Sequence, residues 1–575
     1  MKKAMLPFLF YFGSTAGWGA TGVPLPLSPD AELQRQQQQL EQQRRRLEPS
    51  APDIRLDDPG WMAPPGFDQL PSDSPCFVIE QLHLVDMAGQ PIAGFEWLHQ
   101  FLTHEGEATL MGRCLGAQGV AWLIDRGQKQ LVQRGLVTSR LLAAPQDMHS
   151  GQLKLTLILG RIRATRFEPE TPPLSLLDWA FPMKSGDALN LRDIEQALEN
   201  LKRVPTAEAD IQIVPAEGEG AHVGESDLRV LHQQATPIRL NLSIDDSGTK
   251  ATGKLLSSAT LSLDNMLQAN DLFYLTLNTD MGAGDPGPRG THGKTAHYSL
   301  PIGYWTWGVT WNESRYAQQV AGLNGPYVYS GTSENTELKA TRLVFRDAVQ
   351  KINLSLAAFE RKANNFVEDT EVLTQRRIED GWVAGLNHKT FIGTSTLESN
   401  LNYKWGKAGF GALPSLADPS GWGTSQFGLT TADVNLSAPF NWGQQRFRYN
   451  GAIRAQTYET PLTPLNQFAI AGRYTVRGFD GENTLSGERG WLWRNDMSWA
   501  LGDSGQEMYY ALDHGEVGGR TSDLLVGKTL TGNAVGLRGG WRRISYDVFL
   551  AAPVRKPDHF KAPSYVAGFG LSLSF

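Results

Sequence analysis

The sequence predicts a mostly β protein, a transmembrane β-barrel of about sixteen strands preceded by one helix and two small α/β modules. Three observations lead to this fold class. The chain opens with a secretory leader, and its second half alternates large apolar residues with small or polar ones. After the leader, no apolar run reaches the roughly eighteen residues of a spanning helix.

Residues 1–20, MKKAMLPFLFYFGSTAGWGA, have the composition of a signal peptide. Two lysines precede an apolar run of roughly ten residues, and small residues follow. Cleavage after Ala16 and cleavage between Ala20 and Gly22 both fit this pattern. The mature protein is therefore expected beyond the inner membrane.

Residues 29–48, PDAELQRQQQQLEQQRRRLE, predict a helix that is polar nearly all round. Leu33, Leu40 and Leu47 recur every seven residues, so the apolar stripe is one residue wide and cannot build a core. Two interpretations stay open, a solvated arm and a helix in a water-filled space lined by polar groups. Residues 49–75 follow as a proline-rich linker, which would let the helix move.

Two α/β modules are predicted next, over residues 76–163 and 164–236. In the first, strand-like CFVIEQLHLV and GQLKLTLILGRI flank a helical GVAWLIDRGQKQLVQRG; in the second, LNLRDIEQALENLKRVP precedes strand-like ADIQIVP. The chain has two cysteines, Cys76 and Cys114. In an exported protein they predict a disulfide, with two buried free thiols as the alternative.

Residues 237–575 predict the barrel. In YWTWGVTW, Trp305, Trp307, Val309 and Trp311 share one face, and the other face is small or polar. The final YVAGFGLSLSF repeats the pattern up to Phe575. A soluble sandwich would place aliphatic residues inside and charges outside, whereas an aromatic outer face with a small or polar inner face is typical of a barrel in lipid. Only a closed barrel satisfies the backbone of membrane-spanning strands.

One long loop, residues 473–490, carries an arginine between apolar residues. Val476, Arg477, Gly478 and Phe479 form a charged tip with apolar shoulders, a composition that favours docking onto another surface. Gly478 allows the backbone to turn beside the arginine. The alternative is a solvated loop charge.

Other classes of function find little support in the sequence. A net charge of −7 gives no reason to expect a nucleic-acid partner. We find no Gly-x-Ser-x-Gly or His-Glu-x-x-His motif, and the GKT tripeptides at Gly293 and Gly527 lack the preceding glycine of a phosphate loop. We therefore expect no enzyme activity, no catalytic residue, no cofactor and no metal.

In these stretches the chain resembles the B-type transporters of two-partner secretion, the ShlB/FhaC/HecB-like haemolysin secretion/activation family of the Omp85 superfamily. PCFVIEQLHL, GRCLG and RGLVTSRLLAAPQDMHSGQLKLTLILGRI are similar to the family's first POTRA module, cysteine pair included, and LNLRDIEQALENLKRVP to the helix of the second. IDDSGTKATGKLLSSATLSLDNMLQANDLFYLT is similar to the first barrel hairpin, and RYTVRGF to the family's loop motif. One departure is YYALDHGEVGG, where the family usually has Phe before the acidic residue.

The resemblance implies a plug helix at 29–48, two periplasmic POTRA domains and a barrel in the Gram-negative outer membrane with porin activity. It implies that the loop folds into the lumen, where Arg477 pairs with Asp513 on the barrel wall. The function it implies is recognition of a large TpsA-type exoprotein through the POTRA domains and its passage, unfolded, to the cell surface. Haemolysin, adhesin and contact-dependent inhibition toxin are all candidate cargoes.

Further partners expected are outer-membrane lipid and the barrel assembly machinery, with the protein itself a monomer. The alternative function is that of an Omp85-type assembly factor that inserts other barrels. Such factors usually carry more POTRA modules and no plug helix, so the order of segments here favours transport. A simple porin would lack the two modules.

Overall fold

A computed structural model of the chain describes residues 29–48, 52–56, 69–105, 108–168, 175–282, 288–323, 325–407 and 425–575. The expected signal peptide, with its cleavage positions, lies outside these residues, as does most of the linker. Among the described residues, no helix is both long and apolar enough to cross a membrane.

The first module is a three-stranded sheet covered by two helices. The sheet joins Gln81–Val85, parallel, and Arg140–Leu142, antiparallel, to Gln152–Ile158. Along Gln152–Ile158 the leucines are buried and Gln152 and Lys154 are exposed, as the alternation predicts. Helices Glu96–Thr103 and Ala117–Gln133 cover the sheet. Short elements complete the module: Phe77–Ile79, His104–Glu105, Ala108–Thr109, Arg113–Leu115 and the 3₁₀ turn Met148–Ser150.

The cysteine pair of the first module is bridged in the structure. Cys76 and Cys114 form a disulfide with their Cα atoms 5.3 Å apart. The adjoining strands Phe77–Ile79 and Arg113–Leu115 pair antiparallel. Asp73, at the end of the linker, accepts a hydrogen bond from the Gly119 backbone at 2.7 Å, so the last linker residues pack with this module.

The second module begins slightly earlier than the sequence suggested. Strand Arg161–Phe167 pairs in parallel with Glu225–Gln234, which pairs antiparallel with Ala207–Pro215. The boundary therefore falls near residue 160 instead of 163. Strands Gln152–Ile158 and Arg161–Phe167 follow each other almost directly, so the sequence shows one continuous strand pattern where the chain passes from the first sheet to the second. Helices Ser175–Ala180 and Leu191–Leu201 cover this sheet.

In the described part of residues 238–574, sixteen long antiparallel strands close into a barrel, which confirms the predicted fold class. The first and last strands pair from Asn241 with Ser574 to Asp245 with Gly570. The two-residue strand Thr370–Glu371 extends one outer hairpin. The barrel strands are Ile238–Asp245, Leu256–Asp264, Leu272–Asp280, Gly290–Ile302, Trp305–Val320, Tyr327–Arg346, Gln350–Val367, Arg377–Ile392, Ser395–Gly406, Gly428–Trp442, Gln445–Tyr458, Arg489–Ala500, Gln506–Gly518, Thr529–Trp541, Ile544–Arg555 and Val566–Ser574.

The two faces of the barrel differ as the alternation predicts. Trp305, Trp307 and Val309 are exposed on the outer surface, whereas Thr310 is buried on the inner one. At the end of the chain, Phe569 and Leu571 are likewise exposed. An aromatic and aliphatic outer surface is what a barrel in a membrane requires.

Short turns close the barrel at the end that carries the two modules. The Gly303 N–H donates to the Trp179 carbonyl at 2.9 Å, and the Asn200 amide donates to the Gly303 carbonyl at 2.8 Å. The second module therefore packs directly on a barrel turn. The long loops, including residues 473–490, leave from the opposite end.

Candidate functional site in the barrel lumen

The loop over residues 473–490 folds back into the barrel. Val476 is fully buried and Phe479 nearly so. They join an apolar cluster that includes Ile470 and Phe560, and the rings of Phe479 and Phe560 meet edge to face with centroids 5.8 Å apart. The apolar shoulders of the tip thus anchor it inside the protein.

Arg477 lies at the centre of the anchored tip. Its Nε donates to Asp513 Oδ2 at 2.6 Å and its Nη2 to Asp513 Oδ1 at 2.7 Å, and the Arg477 backbone N–H donates to the same carboxylate at 3.0 Å. Nη1 donates to Asp496 Oδ1 at 2.5 Å. Asp513 has no exposed surface and Arg477 is 6% exposed. Two carboxylates around one planar guanidinium make a strong, directional clamp.

Two glycines let the tip approach the barrel wall. Gly478 has φ +100°, and a Cβ there would lie 2.4 Å from the Ala552 carbonyl oxygen. On the wall, a Cβ at Gly532 would lie 1.7 Å from the Arg477 carbonyl oxygen. Both contacts are closer than a Cβ tolerates, so only glycine fits at these positions.

A second arginine of the loop reaches the closure of the barrel. Arg473 Nη1 donates to Asp246 Oδ1 at 3.1 Å and to the Phe569 carbonyl at 2.7 Å. Asp246 follows the first barrel strand and Phe569 lies on the last. The loop therefore touches both strands that close the barrel.

Helix Pro29–Leu47 lies inside the barrel beside this loop. The Gln39 amide donates to the Ser247 carbonyl at 3.1 Å, and the Gln43 amide to Asn278 Oδ1 at 3.0 Å. Gln34 donates to the Pro464 carbonyl at the base of the same long loop. Polar side chains point to the wall in several directions, which explains why the helix is polar nearly all round.

Charged pairs hold the C-terminal turns of the helix. Arg44 Nη1 donates to Glu337 at 3.0 Å, and Arg44 Nε donates to Glu48 at 2.9 Å. Glu48 also accepts a hydrogen bond from the Tyr274 hydroxyl at 3.0 Å. A cavity of about 840 Å³ remains between the helix and the wall, lined mostly by polar side chains.

Asp496 is a partner of Arg477 that the sequence patterns did not identify. The signal lies in the strand RGWLWRNDMSWA, where Trp491 and Trp493 are exposed on the outer face. Alternation then places Arg494 and Asp496 on the inner face. Among the described residues, no cluster of histidine, cysteine or acidic side chains could hold a metal ion.

A closed barrel with two α/β modules at one end, a lumen-facing arginine loop and a helix inside defines a class, the outer-membrane transporters that carry POTRA domains. A family model described as haemolysin secretion/activation protein ShlB/FhaC/HecB matches residues 224–539, more than half of the chain. A ShlB-type POTRA domain model matches residues 98–160, and another POTRA model matches residues 161–215. The chain belongs to the ShlB/FhaC/HecB haemolysin secretion/activation family.

Known relatives are similar to this chain over nearly its whole length. The outer membrane transporter CdiB-2 of Burkholderia pseudomallei is 34% identical over 595 aligned residues, which cover 100% of both chains. The structure of CdiB from Acinetobacter baumannii matches with a TM-score of 0.84 and 27% identity, covering 96% of this chain and 100% of that one. CdiB from Escherichia coli, at 24% identity and a TM-score of 0.80 over 97% of this chain and 100% of that one, shares the fold.

These findings confirm the resemblance, the location and the general function that the sequence predicted. The protein is an outer-membrane transporter of two-partner secretion, with its N-terminal modules in the periplasm. The alternative of an assembly factor that inserts other barrels is not favoured.

Proposed function

We propose that the two POTRA modules capture a large exoprotein in the periplasm and that the barrel passes it, unfolded, to the cell surface. Helix 29–48 acts as a plug, and the tip formed by Val476, Arg477, Gly478 and Phe479 is an internal element of the same path. The plug helix in the lumen carries this proposal. It is held mainly by polar contacts and ion pairs, which water can replace, and not by an apolar core.

Cargo recognition is assigned to the exposed edges of the two POTRA sheets. Ala207–Pro215 is an edge strand of the second sheet. Gln81–Val85 is an edge strand of the first, although its Leu82 and Leu84 carbonyls already contact the His99 ring and the Ile92 N–H. An edge strand offers unpaired N–H and C=O groups, which an unfolded chain can extend with little dependence on its side chains. Such a surface suits an exoprotein that arrives unfolded.

Deleting residues 76–235 tests this assignment. We expect secretion of the exoprotein to stop while the barrel still reaches the outer membrane, measured by cargo in the medium and by the heat-modifiable gel mobility of the barrel. Secretion that survives the deletion would place recognition elsewhere.

Deleting residues 30–48 tests the plug. We expect a folded barrel with larger and steadier ion conductance in planar bilayers, because the helix occupies the lumen. A conductance equal to that of the intact protein would exclude a plug role for the helix.

The remaining partners follow from the surface and the compartment. The aromatic outer face suits outer-membrane lipid, insertion would use the barrel assembly machinery, and one chain closes the barrel, so we propose a monomer. A signal peptide over residues 1–20 would direct export, and no catalysis is proposed. The cargo would be a haemolysin, an adhesin or a contact-dependent inhibition toxin with an N-terminal secretion domain; a very large exoprotein gene beside this one would identify it.

A further inference from the structure

Part of the linker is docked between the second POTRA module and the barrel. We call residues 52–56 the tether segment. The Ile54 N–H donates to Glu199 Oε1 and the Leu56 N–H to Glu195 Oε1, both at 2.9 Å. The side chains of Ile54 and Leu56 pack against the core of the module. The helix Leu191–Leu201 thus binds the tether segment through two glutamates one turn apart.

A barrel residue, Arg346, contacts the same two glutamates from the other side. Arg346 ends the strand Tyr327–Arg346, and its guanidinium donates to Glu195 at 2.9 Å and to Glu199 at 3.0 Å. It also donates to the Ile54 carbonyl. Arg346 has a side chain that is only 4% exposed. One buried guanidinium therefore joins the barrel, the module and the tether segment.

Asp53 adds an ion pair between the tether segment and the barrel. Its carboxylate accepts a hydrogen bond from Lys351 Nζ at 3.0 Å and also contacts Lys389. Lys351 further contacts Glu199. Partial burial opposes ionisation of Asp53, but the bonds and charges of Lys389 and Lys351 outweigh it and lower the pKa of Asp53. The carboxylate is thus ionised at neutral pH, where its two cations hold it.

The docked segment limits how far the plug helix can travel. Leu47, at the helix end, already lies at the periplasmic end of the barrel, packed with Val204 and Leu272. The six residues from Leu47 to Asp53 span at most about 20 Å. The helix of 19 residues is about 28 Å long, so it must move by about that distance to leave the lumen along the barrel axis. While the tether segment stays docked, Leu47 remains within about 20 Å of Asp53, so the docked segment limits this movement.

We propose that Asp53, Arg346 and Lys351 are positioning residues for transport: they form a latch that holds the tether segment and keeps the plug helix within reach of the lumen. Full withdrawal of the helix requires release of the latch, after which the whole linker over residues 49–75 can extend. This inference rests on the proposed plug function.

The test uses the full-length protein with Asp53→Asn and, separately, Lys351→Met. Spin labels on cysteines introduced at Gln38 and Ser504 report the distance between the helix and a periplasmic turn, because the native cysteines are bridged. We expect both variants to add a population displaced by more than about 20 Å and to raise the open fraction in planar bilayers severalfold. Glu219→Gln, at an exposed carboxylate in a turn of the second module, is the matched control and should behave as the unchanged protein.

A third variant tests whether the length of chain between the plug helix and the tether segment limits the movement of the helix. Ten glycine and serine residues inserted after Pro49 leave the latch intact and add up to about 33 Å of chain. The insertion should produce the same displaced population. If the insertion has no effect, or if both latch variants match the control while deletion of residues 30–48 opens the pore, the latch is wrong. If that deletion leaves the conductance unchanged, the plug function itself fails.

Discussion

The carboxylate of Asp513 receives three hydrogen bonds from Arg477, two from the guanidinium and one from the backbone N–H. The carboxylate thus fixes both the side chain of the loop tip and the path of its backbone. Because Asp513 is completely buried, loss of the guanidinium removes its closest cation and leaves it with the backbone N–H groups of residues 477 and 495 and with Arg494 at 3.9 Å. The cost is therefore below the roughly 3–5 kcal/mol of a buried charge that has lost its only partner. This pair is the strongest candidate for the element that holds the loop in place.

Arg477→Ala should reduce secretion strongly while the barrel stays inserted. Asp513→Ala should have a smaller effect, since Arg477 keeps Asp496 at 2.5 Å. The double variant should be no worse than Arg477→Ala, because both changes break one interaction. Exported cargo and barrel mobility on gels are the measurements, with Arg520→Ala in an exposed outer position as the control. If the secretion defects of the two single variants add up in the double variant, loss of the Arg477–Asp513 pair is not their common cause.

Gly532→Ala should displace the loop although it adds one methyl group. That methyl would meet the Arg477 carbonyl oxygen at 1.7 Å, whereas a Cβ at Gly540 on the same strand has its nearest neighbour at 3.5 Å. We expect faster protease cleavage within residues 473–490 and lower secretion for Gly532→Ala, and neither effect for Gly540→Ala. Equal cleavage rates in the two variants would show that the loop does not need this contact.

Arg44→Ala should raise the fraction of time that the pore is open. Arg44 pairs across the lumen with Glu337, while its neighbour Arg45 pairs with Glu41 on the same helix. Removing Arg44 weakens the binding of the helix to the wall, and removing Arg45 weakens only a contact within the helix. Planar-bilayer recordings should therefore separate the two variants, and indistinguishable recordings would argue against Arg44 as a plug contact.

Reduction of the Cys76–Cys114 disulfide should destabilise the first POTRA module and spare the barrel. The bridge closes 38 residues of chain, for which loop entropy gives about 3–4 kcal/mol. We expect the cysteines to resist alkylation until reduced, and earlier unfolding of the module after reduction. The variant with serine at both positions is the control, and free alkylation of the native protein would contradict the prediction.

Much of the architecture follows from local patterns in the sequence. Alternation of large apolar with small or polar residues identifies the barrel strands and their outer face, because side chains of a strand point alternately to its two sides. Gln, Glu, Arg and Leu between Pro29 and Leu47 are sufficient to identify the helix. The position of the loop tip in the lumen was predicted from its resemblance to a family motif, since composition alone also allowed Arg477 to be a solvated charge.

Tertiary structure decided which of these residues meet. Alternation places Asp496 inside the barrel, but a period of two carries no information on its partner 19 residues away. The contact of Gly532 with the loop depends on how the barrel closes. Arg346 binds Ile54 of the tether segment, 292 residues away in the chain, and this contact depends on how the second module packs on the barrel turns. Local propensity and periodicity thus determined the elements and their faces, whereas the contacts in the lumen and at the tether segment exist only once the strands have closed around them.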